Sequence, residues 1–369
     1  MTDSVVVRNA DFLGRPVHHA HLSDGRDLLY FDDRNSSHGD RPGDKREASE
    51  RSRTAEMRRD PLTGEWISVA PQRNQRAHLP SEQTCPLCAQ TDENLSEIPG
   101  PFDVAVFENK SPSFGPATGA IEETMGSGFG VTADAIGRCE VVVFSADHRG
   151  SFAQLGRERI DTVISAWTHR TEELKSIAGI KTVFPFENRG EEIGVTLHHP
   201  HGQIYGYPFI PPRTSQLLTS SQQHGEGFFA EYLNFESESE RAVWRGEHFC
   251  LFVPFAARWP IEFILMPRRA VGDFTELNDD ERAELSTILP SMFGAVDKLY
   301  ESPTGYIAAW YQAPQGFSGD EFRFHFRHTS PRRSENQLKF LAGSETAMGA
   351  FILDVAPEEQ ARRLRDLVA

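Results

Sequence analysis

Cysteine is scarce: Cys85, Cys88, Cys139 and Cys250 are the four thiols in 369 residues. So few in so long a chain exclude a disulfide framework and point to a reducing compartment. No apolar run approaches the roughly 20 residues that span a bilayer. The opening Met1-Thr2-Asp3-Ser4 lacks the basic and apolar regions of a secretory signal. A cytoplasmic setting with no membrane partner is expected. Positive charge is also in deficit, with 38 Lys and Arg against 54 Asp and Glu and a net charge of −16. That argues against nucleic-acid binding, which needs a basic footprint. A small anionic substrate stays possible, because a few local arginines can hold one phosphate. Hydrophobic content of 38% supports a buried core, and the length suggests two domains or one large one.

What is present is a pattern that occurs twice. Strands are predicted at 102–107 and 140–144, a helix at 157–178, then strands at 181–186 and 199–207. The second copy has strands at 249–255 and 261–266, a helix at 279–300, then strands at 306–311 and 321–328. Apolar residues recur at helical spacing in both helices: Ile160, Val163, Ile164 and Trp167 in one, Leu285, Ile288, Leu289 and Met292 in the other. Pro290 is expected to kink the second helix or delay its start. Phe152-Ala153-Gln154-Leu155 precedes the first helix, and Phe274-Thr275-Glu276-Leu277 precedes the second. The chain therefore reads as a duplicated strand–strand–helix–strand–strand unit. Residues 33–57 are polar and read as a flexible linker, after a strand at 27–31. A strand at 65–70 and a C-terminal amphipathic helix at 357–368 complete the reading. The boundaries follow: an N-terminal extension and linker over 1–57, a first repeat over 58–212 and a second over 213–369.

The most informative stretch is Leu197-His198-His199-Pro200-His201-Gly202-Gln203-Ile204. In a strand, residues two apart share a face, so His199, His201 and Gln203 line up. The spacing offers an imidazole for a metal or phosphate, an imidazole nucleophile and a neutral amide beside it. His198 is expected on the opposite face. Cys85-Pro86-Leu87-Cys88 is a knuckle whose two thiolates can bind one ion. With no second such pair, His148 and His199 are the expected remaining ligands of a Zn²⁺ site. The rival readings are a redox dithiol or a buried thiol pair; the residues after Cys88 look loop-like, whereas a redox motif opens a helix. Cys139 and Cys250 sit in apolar runs and read as core.

Taken in order, several short motifs make a specific signature. They are Asp60-Pro61-Leu62-Thr63-Gly64-Glu65-Trp66, Arg73-Asn74-Gln75-Arg76, the Cys85–Cys88 knuckle and Phe107-Glu108-Asn109-Lys110. Then come Asp147-His148, Phe186-Glu187-Asn188-Arg189-Gly190, His199–Ile204 and Lys339-Phe340. From about Asp60 to Leu367 the chain resembles the galactose-1-phosphate uridylyltransferase family, the transferase branch of the histidine-triad superfamily. The stretch 24–33 looks like the N-terminal extension of actinobacterial members.

The resemblance implies an α+β fold: two tandem histidine-triad-like repeats forming a large, mainly antiparallel half-barrel sheet flanked by helices. It implies transfer of a uridylyl group from UDP-glucose to galactose 1-phosphate through a covalent uridylyl-His201 intermediate, with Gln203 beside it. Hydrolase relatives carry a histidine at the Gln203 position. By the same matching, Arg73, Arg76, Asn109, Asn188 and Thr196 would contact nucleotide or phosphate, Glu187 would orient a neighbour, and Lys339, Phe340 and Glu345 would reach the hexose across a homodimer interface. The second, iron site of some members maps to Leu217, Tyr311, His325 and Arg327, with His328 nearby; only one ligand survives, so no iron site is expected. Ser344 and Phe351 depart from the usual tyrosine and glutamine and bear on sugar specificity. Two rivals remain. One is a phosphorylase of the same superfamily acting on an ADP-sugar or dinucleoside polyphosphate. The other is a zinc-stabilised nucleotide-binding protein without turnover.

Overall fold

A computed structural model describes residues 8–75, 79–126 and 128–368. They divide into two units. Unit 1 comprises Met1–Gly150, Glu158–Pro185 and Thr196–Gln216; unit 2 comprises Ser151–Arg157, Phe186–Val195 and Leu217–Ala369.

Unit 1 opens with β1 (Arg8–Phe12), β2 (Arg15–His21) and β3 (Asp27–Phe31), followed by β4 (Glu56–Arg59) and β5 (Trp66–Val69). Then come β6 (Val104–Glu108), β7 (Thr124–Met125), β8 (Val131–Asp134), β9 (Arg138–Val143) and helix α1 (Arg157–Ser176). The last strands are β10 (Thr182–Arg189), whose second half belongs to unit 2, and β11 (His201–Tyr207). The main sheet runs β1-β2-β3-β6-β9-β11-β10, while β5-β4-β8-β7 form a small separate sheet. β3 and β6 are near-continuous apolar runs because both faces of the sheet are covered. One face packs Leu22, Leu28, Tyr30, Ile98, Phe102 and Val141 against Cys85 and Leu87, so the CxxC turn is part of the core.

Two strands, β1 and β2, were not foreseen in the N-terminal extension; β1 is mostly polar and β2 is rich in histidine, so neither carries the apolar signal of a buried strand. The polar segment 33–55 has no helix or strand, yet ion pairs tie it down. Arg41 reaches Asp32 (2.5 Å), Arg46 reaches Glu97 (2.7 Å), and Arg51 reaches Glu108.

Unit 2 carries the second half of β10 and then helix α2 (Pro212–His224), most of which belongs to it. Next are α3 (Phe228–Ser237), β12 (Ala242–Arg245), β13 (Phe249–Phe252), β14 (Ile261–Pro267) and α4 (Asp279–Asp297). It ends with β15 (Tyr306–Tyr311), β16 (His325–Ser330), α5 (Gly343–Met348) and α6 (Pro357–Arg365). The strand order here is β10-β15-β16-β14-β13-β12. A mixed α+β fold with a large antiparallel sheet is thus what the duplicated pattern builds. In the first copy β11 lies between β9 and β10; in the second β16 lies between β14 and β15. Short 3₁₀ turns at Phe152–Gln154 and Phe274–Glu276 precede the two helices, each burying its phenylalanine.

Pro290 lies inside α4 and neither delays nor ends it. The start is set by Asn278, which forms a reciprocal capping box with Glu281. The lost hydrogen bond is offset by burial of Leu285, Leu289, Met292 and Phe293 on the packed face. Helices α2 and α3 were not foreseen. In α2 a run of Ser, Thr and Gln obscures the buried Leu218, and α3 is a short aromatic run, FFAEYLNFES, with no side-chain cap to announce its start.

Two buried charges in this framework give testable consequences. Arg170 on α1 makes two 2.8 Å bonds to Glu140 on β9, both residues buried. Removing one partner strands the other charge, so Arg170→Ala should cost about 3–5 kcal/mol. A double Glu140→Gln, Arg170→Met variant should cost much less, by denaturant titration; equal losses would contradict the assignment. In unit 2, Glu187 on β10 accepts a 3.0 Å bond from the Tyr306 hydroxyl, and burial pushes its carboxyl up to about 7. The folded state therefore keeps a proton that the unfolded chain releases. Relative to Glu187→Gln, the parent protein should lose stability as pH rises from about 4.5 through about 7, by on the order of 3 kcal/mol. Parallel pH profiles for the two proteins would refute this.

Candidate active site and metal centre

The sequence Cys85–Cys88 turns back on itself, with the Leu87 amide donating to Cys85 Sγ at 3.4 Å. The turn is buried against the sheet and meets the segment that leads into β11. Cys88 Sγ lies 3.5 Å from Nδ1 of both His148 and His199, and Cys85 Sγ lies 3.8 Å from His199 Nδ1. All four ligand atoms fall within 4.8 Å of one another. A tetrahedral ion with bonds of about 2.3 Å to sulfur and about 2.0–2.1 Å to nitrogen sets S···N edges near 3.5 Å. The donor set fits such an ion. Burial, together with the charge of Cys85, pushes the Cys88 thiol up to about 12. Two thiolates this close therefore need a cation between them. His199 is buried and donates from Nε2 to the Ser145 carbonyl at 2.8 Å, which turns Nδ1 towards the sulfurs. The four sequence-predicted ligands are thus brought together. His198 is exposed and outside this cluster.

The strand begins one residue after Pro200, so His199 precedes it and His201 is its first residue. His201 pairs with Val143 and Gln203 with Val141 on β9. His201 Nδ1 lies 2.7 Å from the His199 carbonyl. A carbonyl only accepts, so Nδ1 carries the proton and Nε2 keeps the lone pair. Burial holds the imidazole below its ordinary value, in the neutral form.

Gln203 Oε1 accepts from the Tyr205 hydroxyl at 3.3 Å, which leaves its NH₂ donors for another acceptor. Tyr205 in turn neighbours the guanidinium of Arg73. Arg73 donates to the Ser111 carbonyl at 2.8 Å, and Asn109 Oδ1 accepts from the Ser111 amide at 2.9 Å. Gln203, Tyr205, Arg73 and Asn109 therefore form one connected polar chain. From sequence, Tyr205 has no role beyond its place in the predicted strand 199–207; its position two residues after Gln203, on the same face, was the available signal. The Ser145 and Ser111 carbonyls carry no side-chain signal at all. The Thr196 carbonyl accepts from the Leu79 amide at 2.8 Å. Arg76 lies outside the described residues.

Asn188, Lys339, Phe340 and Glu345 belong to unit 2. Asn188 pairs with Ile307 across β10–β15. Lys339 is buried, lies 3.3 Å from Glu345, and donates to the carbonyls of Arg258 and Ile352. Phe340 next to it is exposed. At the positions matched to the family's iron site, His325 stacks flat on Tyr311 with ring centroids 4.9 Å apart. Arg327 pairs with buried Glu262. His328 lies against Phe263 at 4.4 Å.

Comparison with known proteins places these features. Residues 45–211 match the family described as galactose-1-phosphate uridyl transferase, N-terminal domain, and residues 215–369 match its C-terminal domain. The chain is 38% identical to a galactose-1-phosphate uridylyltransferase of Streptomyces lividans, over 94% of this chain and 96% of that one. It is 35% identical to one from Thermotoga maritima, over 84% and 98%. A solved uridylyltransferase structure superposes with a TM-score of 0.75 at 31% identity, covering 85% of this chain and 98% of the other. By sequence over nearly its whole length, and by fold, the chain belongs to the galactose-1-phosphate uridylyltransferase family.

Proposed function

We propose that this chain transfers a uridylyl group from UDP-glucose to galactose 1-phosphate by double displacement at His201. The observation that carries the reading is the 2.7 Å contact from His201 Nδ1 to the His199 carbonyl, which leaves the Nε2 lone pair for attack. The relatives' names support the substrate pair.

In the first step the Nε2 lone pair attacks the α-phosphorus, and the bond from that phosphorus to the bridging oxygen breaks. The electron pair leaves on glucose 1-phosphate. In the second step a phosphate oxygen of galactose 1-phosphate attacks the same phosphorus, and the pair returns to Nε2. The Nδ1 proton stays in place throughout, where the carbonyl stabilises the positive charge that develops on the ring. Each step replaces one difficult transfer between two phosphates with an easier one. The leaving group is a phosphate and needs no proton, which suits an amide at Gln203 rather than an acid. Its NH₂ can donate to a phosphoryl oxygen, with Tyr205 holding the amide's orientation. Arg73, Arg76, Asn109 and Thr196 are the proposed nucleotide and phosphate contacts of unit 1, and Asn188 is proposed as such a contact from its motif alone. The Lys339–Glu345 pair fixes the strip that presents Phe340 to the hexose. A homodimer and a cytoplasmic setting belong to the same reading; among the described residues no helix is long and apolar enough to cross a membrane.

Cys85, Cys88, His148 and His199 would hold Zn²⁺, whose role is to neutralise the thiolates and anchor the backbone before His201. Cys85→Ser with Cys88→Ser should lower the bound metal by one equivalent per chain and lower the thermal midpoint. An unchanged midpoint would argue for a plain thiol pair.

The reaction itself is tested by intact mass after mixing with UDP-glucose alone, quenched at alkaline pH. One added uridylyl group is expected, discharged by galactose 1-phosphate. In His201→Asn the adduct should vanish and exchange of label between glucose 1-phosphate and UDP-glucose should fall by about 10⁴-fold or more. An adduct formed from an ADP-sugar instead would favour the phosphorylase reading. No adduct with either would favour a binding protein.

A further inference from the structure

On the sheet face opposite the Cys85–Cys88 turn, unit 1 carries a second cluster of ligating side chains. Strand β2 reads Arg15-Pro16-Val17-His18-His19-Ala20-His21. Alternation puts Ala20 on the face that packs against Cys85, Leu28 and Tyr30. His19 and His21 then point the other way. β3 begins with Asp27 directly opposite His21 in the antiparallel register, so its carboxylate shares that outer face.

The three side chains converge on one point. His19 Nε2 lies 3.1 Å and His21 Nδ1 3.2 Å from the same oxygen, Asp27 Oδ1. The two rings have centroids 5.1 Å apart. Ligand bonds of about 2.0–2.1 Å in a tetrahedral site set donor–donor edges near 3.3 Å. Both nitrogen–oxygen separations match that edge. Two imidazoles aimed at one carboxylate oxygen from a rigid hairpin need no induced fit to accept an ion. Side-chain exposures of 37%, 58% and 38% leave the cluster open to solution, so water can complete the shell.

The surrounding charges permit a cation. The nearest guanidiniums, Arg138 and Arg170, are each held by a carboxylate, Glu108 at 2.5 Å and Glu140 at 2.8 Å. Glu108 also accepts the Asp27 amide at 3.2 Å, fixing the first residue of β3. The other carboxylate–histidine group of this unit, Asp32, His38 and Asp103, differs in this respect. Arg41 and Arg159 already occupy its carboxylates, leaving no place for an ion.

We propose that His19, His21 and Asp27 form a second metal site, selective for late first-row divalent ions such as Zn²⁺ or Cu²⁺, with three protein ligands and an open position. Two imidazoles and one carboxylate suit these ions and not Mg²⁺ or Ca²⁺. The site lies ahead of the region that matches the family, which begins at residue 45. A bound ion would clamp the β2–β3 hairpin, and it does not depend on the uridylyl-transfer reading.

The test uses full-length, tag-free protein loaded with one equivalent of Zn²⁺, to fill the Cys/His cluster, and then given one equivalent of Cu²⁺. The electron paramagnetic resonance spectrum should show nitrogen hyperfine splitting from two imidazoles. Equilibrium dialysis against micromolar Zn²⁺ should give two metals per chain. In His19→Ala/His21→Ala both the splitting and the second equivalent should disappear while the first equivalent is retained. Asp27→Asn, which keeps the shape of the hairpin, should weaken Zn²⁺ binding at least tenfold. His224→Ala removes another exposed histidine, one that pairs with Glu231, and should change neither readout. A wild-type protein that stops at one metal, or a double variant that still binds two, would overturn the proposal.

Discussion

Residue 199 is used twice, and the rest of the site depends on it. Its ring turns Nδ1 towards the two thiols because Nε2 is committed to the Ser145 carbonyl. Its own carbonyl accepts from His201 Nδ1. The orientation of one peptide thus links the Cys/His cluster to the tautomer of the neighbouring imidazole. Pro200 between them restricts the backbone that carries both interactions. A cation between the thiols would hold this arrangement from one side, and the β9–β11 ladder holds it from the other.

The duplicated unit provides an internal comparison. His325 opens β16 as His201 opens β11, and its Nδ1 makes the same bond to the carbonyl two residues back, Arg323, at 2.8 Å. The same contact to the carbonyl two residues back therefore sets the tautomer in both copies. What differs is the surroundings. His325 is stacked on Tyr311 in a buried aromatic setting, and burial pushes it down to about 4. No CxxC knuckle precedes it, and Phe326-Arg327 stands where the first copy has Gly202-Gln203. Arg327 is consumed by Glu262. Phe326 is buried among the aromatic residues of the second copy, where the first copy has a buried Gly202.

The motif residues were legible in the sequence because their chemistry is carried by side-chain type and spacing. The knuckle at 85–88 with His148 and His199 states a grouping that the fold reproduces, whereas of the expected strand alternation only His201 and Gln203 lie in β11. The core helices and strands of both repeats were legible from apolar period, as with Ile160, Val163, Ile164 and Trp167. Less was legible where backbone does the work: the Ser145 and Ser111 carbonyls leave no trace in residue choice. Of the two effects expected of Pro290, the delayed start does not occur, because the Asn278 capping box sets the start of α4. The β2 hairpin was missed because His18, His19 and His21 look polar, and Val17 is the apolar residue that β2 buries fully. Lys339 and Glu345 matched a sugar-binding strip, but sequence could not reveal that they are paired with each other.

The most direct test of the account is to ask which nitrogen of His201 bears the uridylyl group. Protein labelled with ¹⁵N-histidine would be reacted with UDP-glucose and studied by phosphorus–nitrogen NMR at alkaline pH. The account requires the phosphorus to couple to Nε2 of His201, with Nδ1 still protonated against the His199 carbonyl. Coupling to Nδ1, or to a different histidine, would contradict it.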